Sequence, residues 1–267
     1  MTRLASVALA LSLLFGSAVG AAATEPTVRV VYHGARDKPV VALTFDDGYS
    51  VSNCGKILDI LERRKVQATF FPYARAVRGA PAFWRRVADA GYPIGNHSTT
   101  HPNMTDLSLE EATAEISRAR TIIERVTGEP MLRVFRPPYG AWDKTVIEAA
   151  RAAGFPTVLL WDVDDLDWSR TTSRSAMLRA ALRGRNGSVV LMHCGPSTTP
   201  KILEKVIDGY QERGFGFVTV PQLLSGKVPA RAFPPAPPRP PSVPPDPASI
   251  SGLMSIVSAH RYEAWPI

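Results

Sequence analysis

Short, wholly apolar runs alternate with amphipathic stretches along most of the chain. Runs without polar alternation belong to strands buried on both faces, as in parallel sheets. After an extended lead-in at Val28–Tyr32, the runs predict strands at Val40–Phe45, Gln67–Phe71, Pro93–Gly95, Arg133–Phe135, Thr157–Trp161, Ser188–Met192 and Phe217–Val220. Between them, apolar residues spaced three and four apart predict helices over Cys54–Arg64, Ala82–Ala90, Leu109–Val126, Lys144–Ala153, Arg174–Arg183 and Lys201–Arg213. Ser108-Leu109-Glu110-Glu111 fits a capping box, and Gly128 with Pro130 stops that helix. Gly91, Gly154 and Gly214 stand where a left-handed residue ends a helix.

This alternation predicts an α/β fold: a distorted (β/α) barrel of about seven parallel strands, with the active site at their C-terminal ends. An open doubly wound sheet would want a Gly-rich phosphate turn after its first strand. That place holds Asp46-Asp47-Gly48 instead.

The ends of the chain read differently. A basic start at Arg3, an apolar middle and Ala21-Ala22-Ala23 make residues 1–23 a secretory signal peptide rather than an uncleaved anchor, since the run is short for a span. Residues 24–228 are expected to form one catalytic domain. From Pro229 to Pro247 about half the residues are proline, a proline-rich linker, and Ala248–Ile267 is a mildly apolar tail.

No later segment is apolar enough to cross a bilayer. The chain carries a formal charge of +7, and the cleaved stretch removes only Arg3, so the mature protein stays basic. For an exported protein that points to an anionic neighbourhood such as a cell wall. Nucleic acid is not indicated, because no basic stripe with interleaved aromatics occurs. In an oxidising compartment the only two cysteines, Cys54 and Cys194, are expected to pair as a disulfide beside the active site. They lack the close spacing of a structural zinc site.

Candidate chemistry falls at the strand ends. Thr44-Phe45-Asp46-Asp47-Gly48 sets two adjacent carboxylates after an apolar run. Such neighbours repel unless a cation or proton donor holds them, although an ordinary Asp-Asp-Gly turn has the same composition. His97 and His101 stand four apart in a Ser/Thr-rich loop and with Asp47 make an N,N,O set, the ligand pattern of a catalytic metal with open positions. Arg136-Pro137-Pro138-Tyr139-Gly140 is a stiff loop that offers an arginine to a catalytic carboxylate and a backbone N–H to an oxyanion. Asp162, Asp164, Asp165 and Asp167 lie between Trp161 and Trp168, a candidate sugar platform. His193 ends an apolar strand, and near an aspartate and a metal it becomes a proton donor.

Taken together, these motifs resemble the polysaccharide deacetylases of carbohydrate esterase family four, in register from Thr44 to His193. The resemblance implies Asp46 as general base and Asp47, His97 and His101 as metal ligands, with Zn2+ the expected ion and Co2+ the alternative. It implies that Arg136 holds Asp46 and that the Tyr139 N–H joins the oxyanion hole. Asp167 is implied to orient His193, the general acid, while Trp168 walls the groove and Leu191 lines the acetyl-methyl pocket.

The expected activity is a secreted, metal-dependent deacetylase that removes N-acetyl groups from N-acetylglucosamine-containing glycans, peptidoglycan or chitin-like, as a monomer. An O-acetyl xylan esterase of the same family, a catalytically silent wall-binding module and an iron oxygenase with two histidines and a carboxylate are the competing readings.

Overall fold

The computed structural model describes residues 27–233; the expected signal peptide, the linker from Pro234 onward and the C-terminal tail lie outside the described residues. Strand β1 covers Arg29–Val31 and β2 covers Val40–Asp47. All but the last residue of β2 are buried, which explains its unbroken apolar start. One edge of β2 pairs in parallel with β7 (Ser188–His193), from Val41↔Ser188 to Asp46↔His193. Its other edge pairs with β3 (Ala68–Pro72) and, near its start, with β8 (Gly216–Phe217).

The ring continues through single bridges. Phe70 pairs with Ile94, and Asn96 pairs with Phe135 of β4 (Val134–Phe135). The expected strand at Pro93–Gly95 is therefore a pair of isolated bridges. β4 pairs with β5 (Thr157–Leu159), which also holds β1. A few residues on, the same segment becomes β6 (Val163–Asp164) and pairs with β7. One stretch of chain thus touches β4 with its first half and β7 with its second, which brings the parallel ring round on itself as a distorted barrel.

Helices cover the outside. α1 (Val51–Arg64) turns Cys54, Ile57, Leu58, Ile60 and Leu61 inward, the three-and-four spacing of a one-sided helix. Each large aliphatic side chain buried this way contributes about 1.5–3 kcal/mol. α2 (Ala74–Gly79) and α3 (Pro81–Asp89) follow β3. α4 (Leu109–Thr127) begins with the expected capping box at Ser108 and Glu111 and ends on left-handed Gly128. α5 (Lys144–Ala152), α6 (Arg174–Ala181) and α7 (Thr199–Glu212) complete the outer layer expected from the sequence.

The end of the domain differs from expectation. The predicted strand Phe217–Val220 stops at Phe217, and Val220 begins α8 (Val220–Ser225). Thr219 and Gln222 form a second capping box there, and Pro221 cannot donate to a strand ladder. Within the proline-rich stretch, Ala230–Ala232 form a 3-10 turn with Ala232 buried against the domain. No described helix is long and apolar enough to cross a membrane.

Candidate active site

Asp46 and Asp47 occupy the C-terminal end of β2, and both line a cavity of about 390 Å³. Asp47 has φ 74° and is followed by Gly48 at φ 91°. A Cβ on Gly48 would meet the Trp84 ring at 2.4 Å, so this turn needs glycine for both backbone and space.

Asp46 is buried and its Oδ1 accepts a hydrogen bond from Arg136 Nη1 at 2.7 Å. The guanidinium is wholly enclosed. It also donates to Thr44 Oγ1 and to the carbonyls of Leu159 and Leu160, and it lies 4.4 Å from the centre of the Phe71 ring. Every face of a buried cation is thereby matched, which is what a buried ion pair needs to be tolerated. The second Asp46 oxygen, Oδ2, looks toward His97 Nε2 at 3.9 Å.

His97 is buried and its Nδ1 bonds the carbonyl oxygen of Arg136 at 2.7 Å. This makes Nδ1 the protonated nitrogen and leaves Nε2 bare toward Asp47 Oδ1 at 3.7 Å. Burial keeps the His97 pKa below its ordinary value, against the pull of Asp46 and Asp47. His101 Nε2 lies 3.2 Å from the same Asp47 oxygen. Burial would raise Asp47, but the His101 ring beside its carboxylate and the fields of His97 and His193 bring it below the usual carboxylate range.

The donor atoms of Asp47, His97 and His101 lie within 4.8 Å of one another. Asp47 Oδ1 is buried with no hydrogen-bond partner. Two imidazole nitrogens and a carboxylate oxygen, converging with one oxygen unsatisfied, fit a divalent cation.

Sequence reasoning missed the residues that shape this loop. Glu115 of α4 accepts the Thr99 and Thr100 N–H groups through Oε2, and Asn96 Oδ1 accepts the Ser98 N–H. Ser98 Oγ in turn accepts the His101 N–H. These contacts hold Ser98 and His101 at φ 66°, a region that non-glycine residues occupy at a cost. A glutamate inside an amphipathic helix carries no sequence signal for such a role.

Across the cavity, His193 ends β7. Its Nδ1 bonds Asp167 Oδ1 at 2.6 Å, and its backbone N–H donates to Oδ2 at 2.8 Å. Thr199, unnoticed in the sequence, adds a hydroxyl to Oδ2 at 2.5 Å. Burial alone would lower His193, but Asp167, helped by Asp46 and Asp47, pushes its pKa up to about 9. Directly after it, Cys194 is joined to Cys54 of α1 by a disulfide with a Cα–Cα distance of 5.0 Å.

Tyr139, Leu191 and Trp168 line the cavity together with Pro137, Trp161 and Asp164. Trp168 is 58% and Tyr139 70% exposed, so two large rings stand open at the rim. Asp46, Asp47, His97, His101, Tyr139, Trp168, Leu191 and His193 therefore gather at one end of the barrel, with Arg136 and Asp167 behind the cavity wall. Asp162 of the expected sugar platform does not join them: it is held at the start of β7 by Arg36, the Ser188 hydroxyl and the Val189 N–H.

The chain belongs to the polysaccharide deacetylase family, whose profile matches residues 33–158. It is 33% identical over 207 residues to a peptidoglycan-N-acetylglucosamine deacetylase of Bacillus cereus, covering 76% of this chain and 96% of that protein. Among solved structures it resembles the Bc1960 peptidoglycan N-acetylglucosamine deacetylase, with TM-score 0.69 and 32% identity over 73% of this chain and 92% of that one. It is equally close to BA3943, a CE4 family pseudoenzyme from Bacillus anthracis, with TM-score 0.69 and 32% identity over 73% of this chain and 68% of that one.

Proposed function

We propose that this protein is an exported, metal-dependent deacetylase that hydrolyses the N-acetyl group of N-acetylglucosamine units in peptidoglycan or a chitin-like glycan. The observation that carries the reading is the division of labour around Asp47. On one side a carboxylate is tied to arginine, and on the other a histidine is tied to a carboxylate.

Asp47, His97 and His101 would hold a divalent ion, zinc or cobalt, which would supply Lewis-acid polarisation of the amide oxygen and a more acidic water. Asp46, with Oδ1 held by Arg136, keeps Oδ2 as the base that takes a proton from the attacking water. The Tyr139 N–H is assigned to the oxyanion that forms. His193, protonated at neutral pH and oriented through Asp167, delivers a proton to the departing nitrogen, which otherwise leaves poorly. Acetate and a free glucosamine amine are the products. Leu191 receives the acetyl methyl, and Trp168 offers an aromatic face to the sugar ring.

The peptidoglycan deacetylases among the relatives and the basic charge favour a wall polymer. The likeness to a pseudoenzyme makes turnover itself the point to test. The experiment is acetate release from peptidoglycan, chitooligosaccharides and acetylated xylan, using chelator-treated protein with zinc or cobalt restored. Acetate from a glucosamine-containing glycan, dependent on restored metal, supports the reading. Release from xylan alone would move it to an O-esterase, and no release from any glycan would leave a binding module.

A further inference from the structure

Asp165 takes no part in the chemistry assigned above, and its surroundings are poor for a charge. It is 0% exposed. Its Oδ1 accepts the Asp167 N–H at 3.1 Å, which helps hold Leu166 at φ 62°, but its Oδ2 has no hydrogen-bond partner. The titratable groups facing it are Asp167, from its own loop and within side-chain hydrogen-bond reach, and His193 from β7.

Asp167 already serves as the acceptor in three hydrogen bonds. It accepts the His193 ring, the His193 N–H and the Thr199 hydroxyl from α7. A charge on Asp165 beside those acceptor oxygens would add repulsion and leave a buried, charged oxygen unsatisfied. A proton on Asp165 Oδ2 removes both costs and supplies Asp167 with one more donor.

We propose that Asp165 is a neutral carboxylic acid in the folded protein and a positioning residue, its Oδ2–H donated to Asp167 so that the carboxylate behind His193 is held from both sides. Burial first, and then the charge of Asp167, raise its pKa to about 9, in keeping with that geometry. Protonation of Asp165 stands on its own, whereas its effect on turnover rests on His193 being the general acid.

Two measurements on the full chain test it. The first needs no substrate and is made on metal-free protein. An acid protonated when folded and ionised when unfolded adds one proton to the native state, which weakens folding tenfold per pH unit. Between pH 5 and 6 the unfolding constant of the wild type should therefore rise with pH tenfold more steeply per unit than that of Asp165→Asn. Equal slopes would overturn the proposal. Should Asp165→Asn not fold, the wild-type infrared spectrum at pH 7 decides instead. A carboxylic-acid C=O stretch that disappears on raising the pH through about 9 supports the proposal, and its absence at pH 7 overturns it.

The second is the alkaline limb of kcat/KM. Asp165→Ala removes a donor from Asp167, concentrates its charge on His193 and should shift the limb to higher pH, with at least a tenfold loss of rate. Asp165→Asn, still a neutral donor, should restore most of the rate and the limb's position. A shift to lower pH in either variant would mean that Asp165 is ionised. No shift in Asp165→Ala would leave it a turn-building residue and overturn the positioning role. Absence of deacetylation in the wild type would count against the proposed function and leave the proton count intact.

Discussion

Arg136 and Asp46 meet at 2.7 Å with both side chains all but sealed from solvent, and the carbonyl oxygen of the same arginine fixes the His97 ring. One residue therefore orients the candidate base and one candidate ligand. Removing it strands the buried Asp46 charge. Arg136→Met is expected to lower stability by about 3–5 kcal/mol, read as a shift in the denaturant midpoint. A change within about 0.5 kcal/mol, as at an exposed site, would contradict this account of the pair.

Metal holding and base chemistry should separate by mutation. Asp46→Asn is expected to keep its zinc while losing about 10²–10⁴-fold in kcat. His101→Ala is expected to lose both zinc and turnover. Metal content after gel filtration and acetate release make the comparison, and a fully active Asp46→Asn protein would refute the base assignment.

The pH profile follows from His193. As an acid it must carry its proton, so kcat/KM should hold through neutrality and fall as pH rises through the histidine's pKa, which lies at about 9 before any cation is bound. A cation beside Asp47 opposes the imidazolium and moves the limb below that value. Asp167→Asn removes the charge that raises the pKa and should bring the limb down further. A profile still rising past pH 10 would exclude His193 as the donor.

The Cys54–Cys194 bridge closes a long loop, with a sequence separation of 140. Unfolded, unreduced mature protein should show no free thiol, and reduction should cost about 2–5 kcal/mol of stability. Two titratable thiols before reduction would contradict the pairing.

What the sequence determined by itself was the framework and the candidate groups at its strand ends. Apolar runs such as Val40–Phe45 can satisfy burial on both faces only in a parallel sheet, and capping signals such as Ser108 with Glu111 act within a single turn. Asp46, Asp47, His97, His101, Arg136, Asp167 and His193 were legible as candidates because each falls at or near the end of a strand predicted from the sequence, in motifs that together resemble one family. Tertiary structure decided the rest, since it depends on distance in space.

Glu115 lies 16 positions from Thr99, and Thr199 lies 32 from Asp167; neither has a local pattern that announces its partner. The left-handed backbones of Asp47, Ser98, His101, Tyr139 and Leu166 are unfavourable in isolation. They persist because surrounding contacts over-determine them. The two-part pairing of β5 and β6 is likewise set by ring closure, which no stretch of that length can encode alone.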